Sequence, residues 1–359
     1  MNINIVKMKH VFFIFFLLLF ATSCSTKMEK NSHRVMIQKF PMEKLVTLDS
    51  VNVEPVLFCI GDMLIIGDFL VTVDIKNDVF FQIFSLPELN YVGDFIHKGV
   101  GPAEEVAVFP FLQRTGLNAF TYRSIDKQKI VSFDALVKKL SLTGEYQIPD
   151  EYMNILNSFL MGNKLLGYNM LGESAKEYIS CDLSTKEITD FGSDYPKVDF
   201  SIDTKNRNML FSKIMASNAN NDRFVALFDK FPLMRIYDAN GNVISENEYV
   251  NNQSIPSAYS KADMQGVDLS SLTVNYLKLK VTNKFIYGLY SGKTQGELGV
   301  LNTADLCYEI HIWDWEGNPV KRLIFKTPVS NFAVSLDDSY ILLYSFEKED
   351  VLYKIDMAF

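Results

Sequence analysis

The chain has 359 residues, and its 43 Asp and Glu against 35 Lys and Arg give a formal net charge of −8. That acidic balance, with no stretch of clustered Lys and Arg, excludes a protein that tracks nucleic-acid phosphates. The length exceeds what one two-layer core usually serves, and a 13% aromatic content suits small sheets stacked face to face.

At the N-terminus Lys7 and Lys9 precede an apolar run from Val11 to Phe20, followed by Ala21-Thr22-Ser23-Cys24. This is the pattern of a secretory signal, and the run is shorter than the roughly 20 residues that a stable span needs. A cysteine closing the small-residue stretch fits the bacterial lipoprotein signal. The expectation is a removed peptide over 1–23 and lipidation of Cys24, so that the membrane is met through an N-terminal lipid. Loss of 1–23 removes two lysines and no acid, which takes the formal charge from −8 to −10. Residues 24–39, polar and without hydrophobic pattern, are expected as a flexible tether to a folded region over 40–359.

Beyond the tether, Lys44-Leu45-Val46-Thr47-Leu48-Asp49 is the first strand-like run. Pairs of apolar runs then recur. The second member of each pair closes on a polar or acidic stop: Ser85, Asp134, Asp182, Asp238, Asp314 and Asp356. The stops are 49, 48, 56, 76 and 42 residues apart, a β-rich period of propeller-blade size. The first members, Leu70–Val73, Ala119–Tyr122, Lys164–Tyr168, Arg223–Leu227, Lys284–Tyr290 and Tyr340–Tyr344, read as second strands ahead of third strands. Their near-continuous apolar character predicts burial on both faces.

Asp238-Ala239-Asn240-Gly241-Asn242 and Asp314-Trp315-Glu316-Gly317-Asn318 are copies of one hairpin turn. Trp313 shares its phase with Tyr237 and Phe133, which predicts blade core, whereas Trp315 falls in the turn, where a ligand-stacking role is the alternative. Because Asp356 lies three residues before the end, the sixth blade has no fourth strand of its own. The run Lys44–Asp49 is predicted to supply it and so close the ring.

Chemistry-bearing residues are sparse. Cys59, Cys181 and Cys307 form no CxxC pair and sit in apolar runs, which predicts buried small hydrophobes. His33, His97 and His311 are accompanied by no Gly-x-Ser-x-Gly elbow, and no Asp-x-Asp-x-Asp loop marks a cation site. No catalytic residue, metal or cofactor is assigned.

The extra length lies in 193–207, 250–272 and 291–306. With strands A to D running from axis to rim, these are D-to-A crossovers and a B-to-C segment, which share one face of the disc. The loop 99–105 and Arg123 belong to the same face. It is the expected ligand or partner face, with His97, Glu104, Arg123, Tyr259, Lys261, Asp263 and Lys293 as its candidate residues.

The segment Gly99-Val100-Gly101-Pro102-Ala103-Glu104 is similar to the Gly-x-Gly-Pro-Gly-Glu loop of the TolB-like six-bladed β-propeller lipoproteins of Bacteroidetes. It departs from that pattern at Val100, where a basic residue is usual, and at Ala103, where glycine is usual. The resemblance covers roughly 40–359 and implies an all-β six-bladed propeller in the cell envelope. Ser25 after the lipidated Cys24 suits outer-membrane sorting by analogy with other bacteria, and Ser25-Thr26-Lys27-Met28-Glu29-Lys30 lacks the acidic cluster associated with surface export, so a periplasm-facing position at the outer membrane is expected. Physically, the glycines and proline suit a tight crossover in which Glu104 accepts backbone N–H groups. The expected role is a non-enzymatic binding or scaffolding module for an envelope protein or glycan. The alternative is a hydrolase or lyase acting on glycan at the same face.

Overall fold

The computed structural model describes residues 34–101, 103–169, 174, 176–198, 200–202, 204–250, 269–300 and 307–357. The expected signal peptide and Cys24, and with them Tyr259, Lys261 and Asp263, lie outside the described residues. Among the described residues no helix is long and apolar enough to cross a membrane.

Three short strands come first: β1 (Val35–Ile37), β2 (Met42–Leu45) and β3 (Asp49–Asn52). Six sheets follow, five of them built on four strands in sequence order and the sixth on three. Blade one holds β4 (Ile60–Ile66), β5 (Phe69–Asp74), β6 (Val79–Ser85) and β7 (Asn90–Lys98), with β8 (Glu104–Glu105) added parallel to β7. Blade two holds β9 (Val108–Gly116), β10 (Ala119–Ser124), β11 (Lys127–Asp134) and β12 (Lys139–Gln147), and blade three β13 (Ile155–Met161), β14 (Lys164–Asn169), β15 (Tyr178–Asp182) and β16 (Ile188–Phe191). Blade four holds β17 (Lys213–Ser217), β18 (Arg223–Phe228), β19 (Leu233–Asp238) and β20 (Val243–Tyr249), and blade five β21 (Thr273–Val281), β22 (Phe285–Thr294), β23 (Cys307–Asp314) and β24 (Pro319–Val329). Blade six has β25 (Asn331–Val334), β26 (Tyr340–Tyr344) and β27 (Val351–Asp356), completed by β3. The first strands of successive blades contact one another all the way round, so the ring is closed and the fold is a six-bladed β-propeller.

The recurring acidic stops have a common cause. The Asp134 carboxylate accepts the backbone N–H groups of Leu136 and Val137, and Asp182 does the same for Ser184 and Thr185. Asp238 serves Asn240 and Asn242, and Asp314 serves Glu316 and Asn318. Each of these four stops therefore ends a third strand and caps the turn into the fourth, which is why the residue type repeats. Gly317, at φ +91°, closes the fifth-blade copy, and a Cβ there would lie 2.3 Å from Ser245 Oγ of the preceding blade. The turn is thus also a seam, sealed by Asn247 Nδ2 donating to the Gly317 carbonyl at 2.7 Å.

The apolar second and third strands face neighbouring blades, and six hydrophobic clusters fill the six gaps between them. Trp313 is core, as its phase predicts, and Trp315 is buried too, its indole N–H donating to the Thr282 carbonyl at 3.0 Å. Cys181 and Cys307 are buried, and Cys59 is half-buried.

The entry segment differs from expectation at two points. Residues 35–37, expected in the tether, form β1, which runs parallel to β20 on the rim of blade four. The run Lys44–Asp49 does not supply the missing strand of blade six as a unit: β2 lies parallel to β24 on blade five, and β3 pairs antiparallel with β27. The reason is that Val46 and Leu48 pack in the gap between blades five and six while the chain steps from one rim to the next. The true closing strand, Asp49-Ser50-Val51-Asn52, is polar and mostly exposed, so it carries no hydrophobic signal. Residues 34–52 thus form a strap over three consecutive rims.

Two polar clusters hold the strap. Arg34 pairs with Glu246 at 2.7 Å and with Glu248 at 2.8 Å. Glu246 also holds Arg235, which reaches Glu177 at 2.8 Å, and Glu177 takes Lys213 at 3.0 Å. The chain of charges alternates in sign, so each buried ion has a partner. On blade five, Glu43 meets Arg322, which chelates Glu309, while Glu309 accepts from His311 Nε2 at 3.0 Å. His311 Nδ1 accepts the Tyr276 hydroxyl, so the buried ring is neutral with its proton on Nε2. Phe40, fully buried, packs on that ring with centroids 4.7 Å apart.

Candidate functional site

A central cavity of about 640 Å³ runs along the propeller axis, lined by the inner strands of all six blades. It extends to the A-to-B turns at Gly116-Leu117, Gly162, Asn218, Thr282-Asn283 and Leu336. That end is opposite the long crossovers, because each inner strand begins at a D-to-A crossover and finishes at its A-to-B turn.

Polar side chains are set into the cavity by strands that are otherwise apolar. Asp62 interrupts β4, with its Oδ1 accepting Met63 N–H at 2.9 Å and Lys280 Nζ at 2.5 Å, and its Oδ2 accepting Leu112 N–H at 2.7 Å. Blades one, two and five are thereby tied across the axis. Gln113 ties blades two, three and four: its amide donates to the Leu160 carbonyl at 2.6 Å and Ser217 Oγ at 2.8 Å, and its Oε1 accepts Leu160 N–H. Lys278 donates to the Gly61 carbonyl at 2.8 Å. Arg114 also lines the cavity, and its Nε, buried from solvent, has no hydrogen-bond partner.

The lining therefore carries Arg114, Arg123, Lys278 and Lys280 against one carboxylate, Asp62. Burial pushes Arg114 down to about 10, only partly offset by Asp338. Burial also lowers Lys280, against the pull of Asp62, and Lys278 and Arg114 add repulsion in the same direction. A cluster of this kind favours negative charge in the space it surrounds. Among the described residues no group of three His, Cys, Asp or Glu side chains converges in a way that could hold a metal ion.

The sequence candidates are dispersed. His97 is the penultimate residue of β7 and is exposed, paired in register with Glu104. Glu104 folds back on its own loop, its Oε2 accepting Gly101 N–H at 2.8 Å, which is the backbone-capping role its motif predicts. Arg123 is buried and engaged: Nη1 donates to the Ile155 carbonyl at 2.6 Å, Nη2 to the Met153 carbonyl at 3.0 Å, and the guanidinium lies over Phe109. It staples blade two to blade three while lining the cavity. Lys293 sits over the Tyr308 ring at 4.1 Å, beside a short helix, Gln295–Val300, whose first turn is capped by Thr294 and Glu297. That helix meets the stretch leading into β21 through Gln295 N–H to the Leu272 carbonyl at 2.8 Å, so two of the long segments do join on one face.

Sequence reasoning missed Asp62, Gln113, Arg114, Lys278 and Lys280. The available signal was a charge inside an otherwise apolar strand, as in Ile60-Gly61-Asp62-Met63-Leu64 and Leu277-Lys278-Leu279-Lys280-Val281. On the crossover face, Phe58, Ile75, Val100, Val106 and Ile125 are exposed around blades one and two, an apolar surface that individual segments do not reveal.

Comparison with known proteins gives the fold a family. Two solved structures share it: a member of the DUF4221 family from Bacteroides vulgatus ATCC 8482 (TM-score 0.57, 10% identity, covering 88% of this chain and 98% of that one) and a proposed exported protein of Bacteroides fragilis NCTC 9343 (TM-score 0.57, 12% identity, covering 90% and 100%). No match was found among curated proteins. The TolB-like 6-blade propeller-like family matches residues 40–337, and the chain belongs to that family.

Proposed function

We propose that this chain is an exported, lipid-anchored envelope propeller that binds a ligand in its central cavity without transforming it. The observation that carries the reading is the convergence of polar side chains from inner strands on one cavity of about 640 Å³, a size suited to small ligands. Glycan hydrolysis asks for two carboxyl groups flanking the bond, whereas among the described residues the lining carries one carboxylate, Asp62, already engaged by three donors. Lipid attachment at Cys24 and an outer-membrane position facing the periplasm are supported by the signal pattern, and export by the description of the Bacteroides fragilis relative. The crossover face, with Lys293 and its exposed apolar side chains, is the surface proposed for an envelope partner.

The test is retention of envelope-derived saccharides and metabolites on the immobilised mature chain, read by mass spectrometry, beside the variant Ala216→Phe, which places a ring in the cavity. Retention by the wild type and loss in the variant is expected. Equal retention by both would refute a cavity site, and a product of altered mass would replace binding by catalysis.

A further inference from the structure

We propose that the central cavity takes a hydroxylated organic anion, with Arg114 and Lys278 meeting its carboxylate, sulfate or phosphate group. The proposal rests on the reading of the cavity as the binding site and names the chemistry of its occupant.

Among the described residues five ionisable side chains line the cavity, and three are already held by protein partners. Asp62 and Lys280 hold each other at 2.5 Å. Arg123 is held through Nη1 and Nη2 by two backbone carbonyls and lies over the Phe109 ring, although its Nε, like that of Arg114, is buried without a partner. Arg114 and Lys278 are different: among the described residues neither has a carboxylate within ion-pair distance, and neither is held by two backbone carbonyls as Arg123 is. The Lys278 ammonium makes one hydrogen bond, to a neutral carbonyl, and so has further N–H directions to offer. Arg114 keeps a buried, unpartnered Nε–H. Leaving a cation desolvated and unpaired is costly, and three cations around one carboxylate repel each other. An incoming oxyanion removes both costs at once, and a guanidinium suits the paired oxygens of such a group.

The positive interior is also local. The chain as a whole carries −8, so the cavity is not one part of a general basic field. Its other surfaces describe the rest of the ligand. Leu112, Leu160, Leu277 and Val334 give apolar wall, and Thr115, Ser158, Asn218 and Asn283 line the cavity as neutral hydrogen-bonding groups. Groups of this kind suit hydroxyls on the ligand. A hydroxylated anion such as an acidic saccharide supplies both complements; a bare inorganic ion supplies one.

The test is isothermal titration of the mature chain with glucuronate, inorganic sulfate and inorganic phosphate, with methyl glucoside as the uncharged control. The same titrations are run on Arg114→Gln, Lys278→Gln and Ala216→Phe. Binding of glucuronate, weaker binding of the inorganic ions and none of the control are expected, with a loss of about tenfold or more in each charge variant. Arg114→Gln should melt no lower than the wild type without ligand, because it removes a charge whose burial Asp338 only partly offsets. The assignment is overturned if no anion binds, if both charge variants bind as the wild type does, or if Arg114→Gln destabilises the free protein. Stronger binding of the inorganic ions than of glucuronate overturns the hydroxylated class. Binding of the control, blocked by Ala216→Phe and indifferent to the charge variants, would leave the cavity as the site and remove the anion. Undiminished binding in Ala216→Phe would remove the cavity itself.

Discussion

Phe40→Ala measures how firmly the entry strap is fastened. The ring is fully buried, 4.7 Å from His311, 5.7 Å from Trp313 and 5.8 Å from Tyr249 between centroids. Returning a buried aromatic side chain to water costs about 2–3 kcal/mol. The residual cavity brings a Phe-to-Ala change to about 3–5 kcal/mol where neighbours cannot close in. Closure is limited here, because β1 and β2 on either side are registered against β20 and β24 and cannot slide inward. A loss of about 3 kcal/mol is therefore expected in urea unfolding, with an unchanged slope. Protection of the Val46 amide, which donates to the Ile324 carbonyl, should fall in hydrogen exchange. If the strap opens as its own unit, the loss appears at Val46 ahead of the global midpoint. A global change below about 0.5 kcal/mol together with unaltered Val46 protection would refute the reasoning.

Asp314→Ala removes the acceptor of two backbone N–H groups and should cost about 1–2 kcal/mol in chemical denaturation; a neutral change would show that the stop does not cap its turn. Gly317→Ala forces a Cβ into Ser245 at a positive φ and should cost about 2 kcal/mol or more, measured the same way, with a cost near zero counting against the seam. Stability should decline in acid in two stages. Burial holds His311 below its usual 6.5, so below that pH the unfolded chain gains a proton the folded chain does not. Glu309 sits at about 2, burial pushing it up and the hydrogen bonds of His311 and Arg322 pulling it down further, so its contribution is present above 4.5 and disappears as pH falls towards 2. Melting curves of Glu309→Gln should be flatter than wild type below pH 4.5, and parallel curves would contradict the assignment. Cys24→Ala should move the protein from the membrane fraction to the soluble one on fractionation, an unchanged distribution being the contrary result.

Blade number and the central strands were legible because they are buried on both faces: Leu70, Val71 and Val73, like Ile341, Leu342 and Leu343, read as strand at sight. The rim was not. Asp49–Asn52 is defined by backbone pairing with Val351–Lys354, and a polar edge strand leaves no trace in hydropathy. The site was least legible, since its members are one or two side chains per inner strand, brought together only by ring closure. Arg123 illustrates the converse: a charge at a turn looks exposed in sequence, yet here it is consumed by the carbonyls of the next blade.

The strap sets a timetable as well as a closure. β1 has no partner until Val243–Tyr249 exists, β2 waits for Pro319–Val329, and β3 waits for Val351–Asp356. In a chain that emerges N-terminus first, the three strap strands are seated in the order in which they were made, each only after roughly 200 to 300 further residues have followed it. Pairings of such long separation form slowly. A chain cut before Val351 would therefore declare its defect at the opposite end, as a loose segment beside the site where the lipid is proposed to attach.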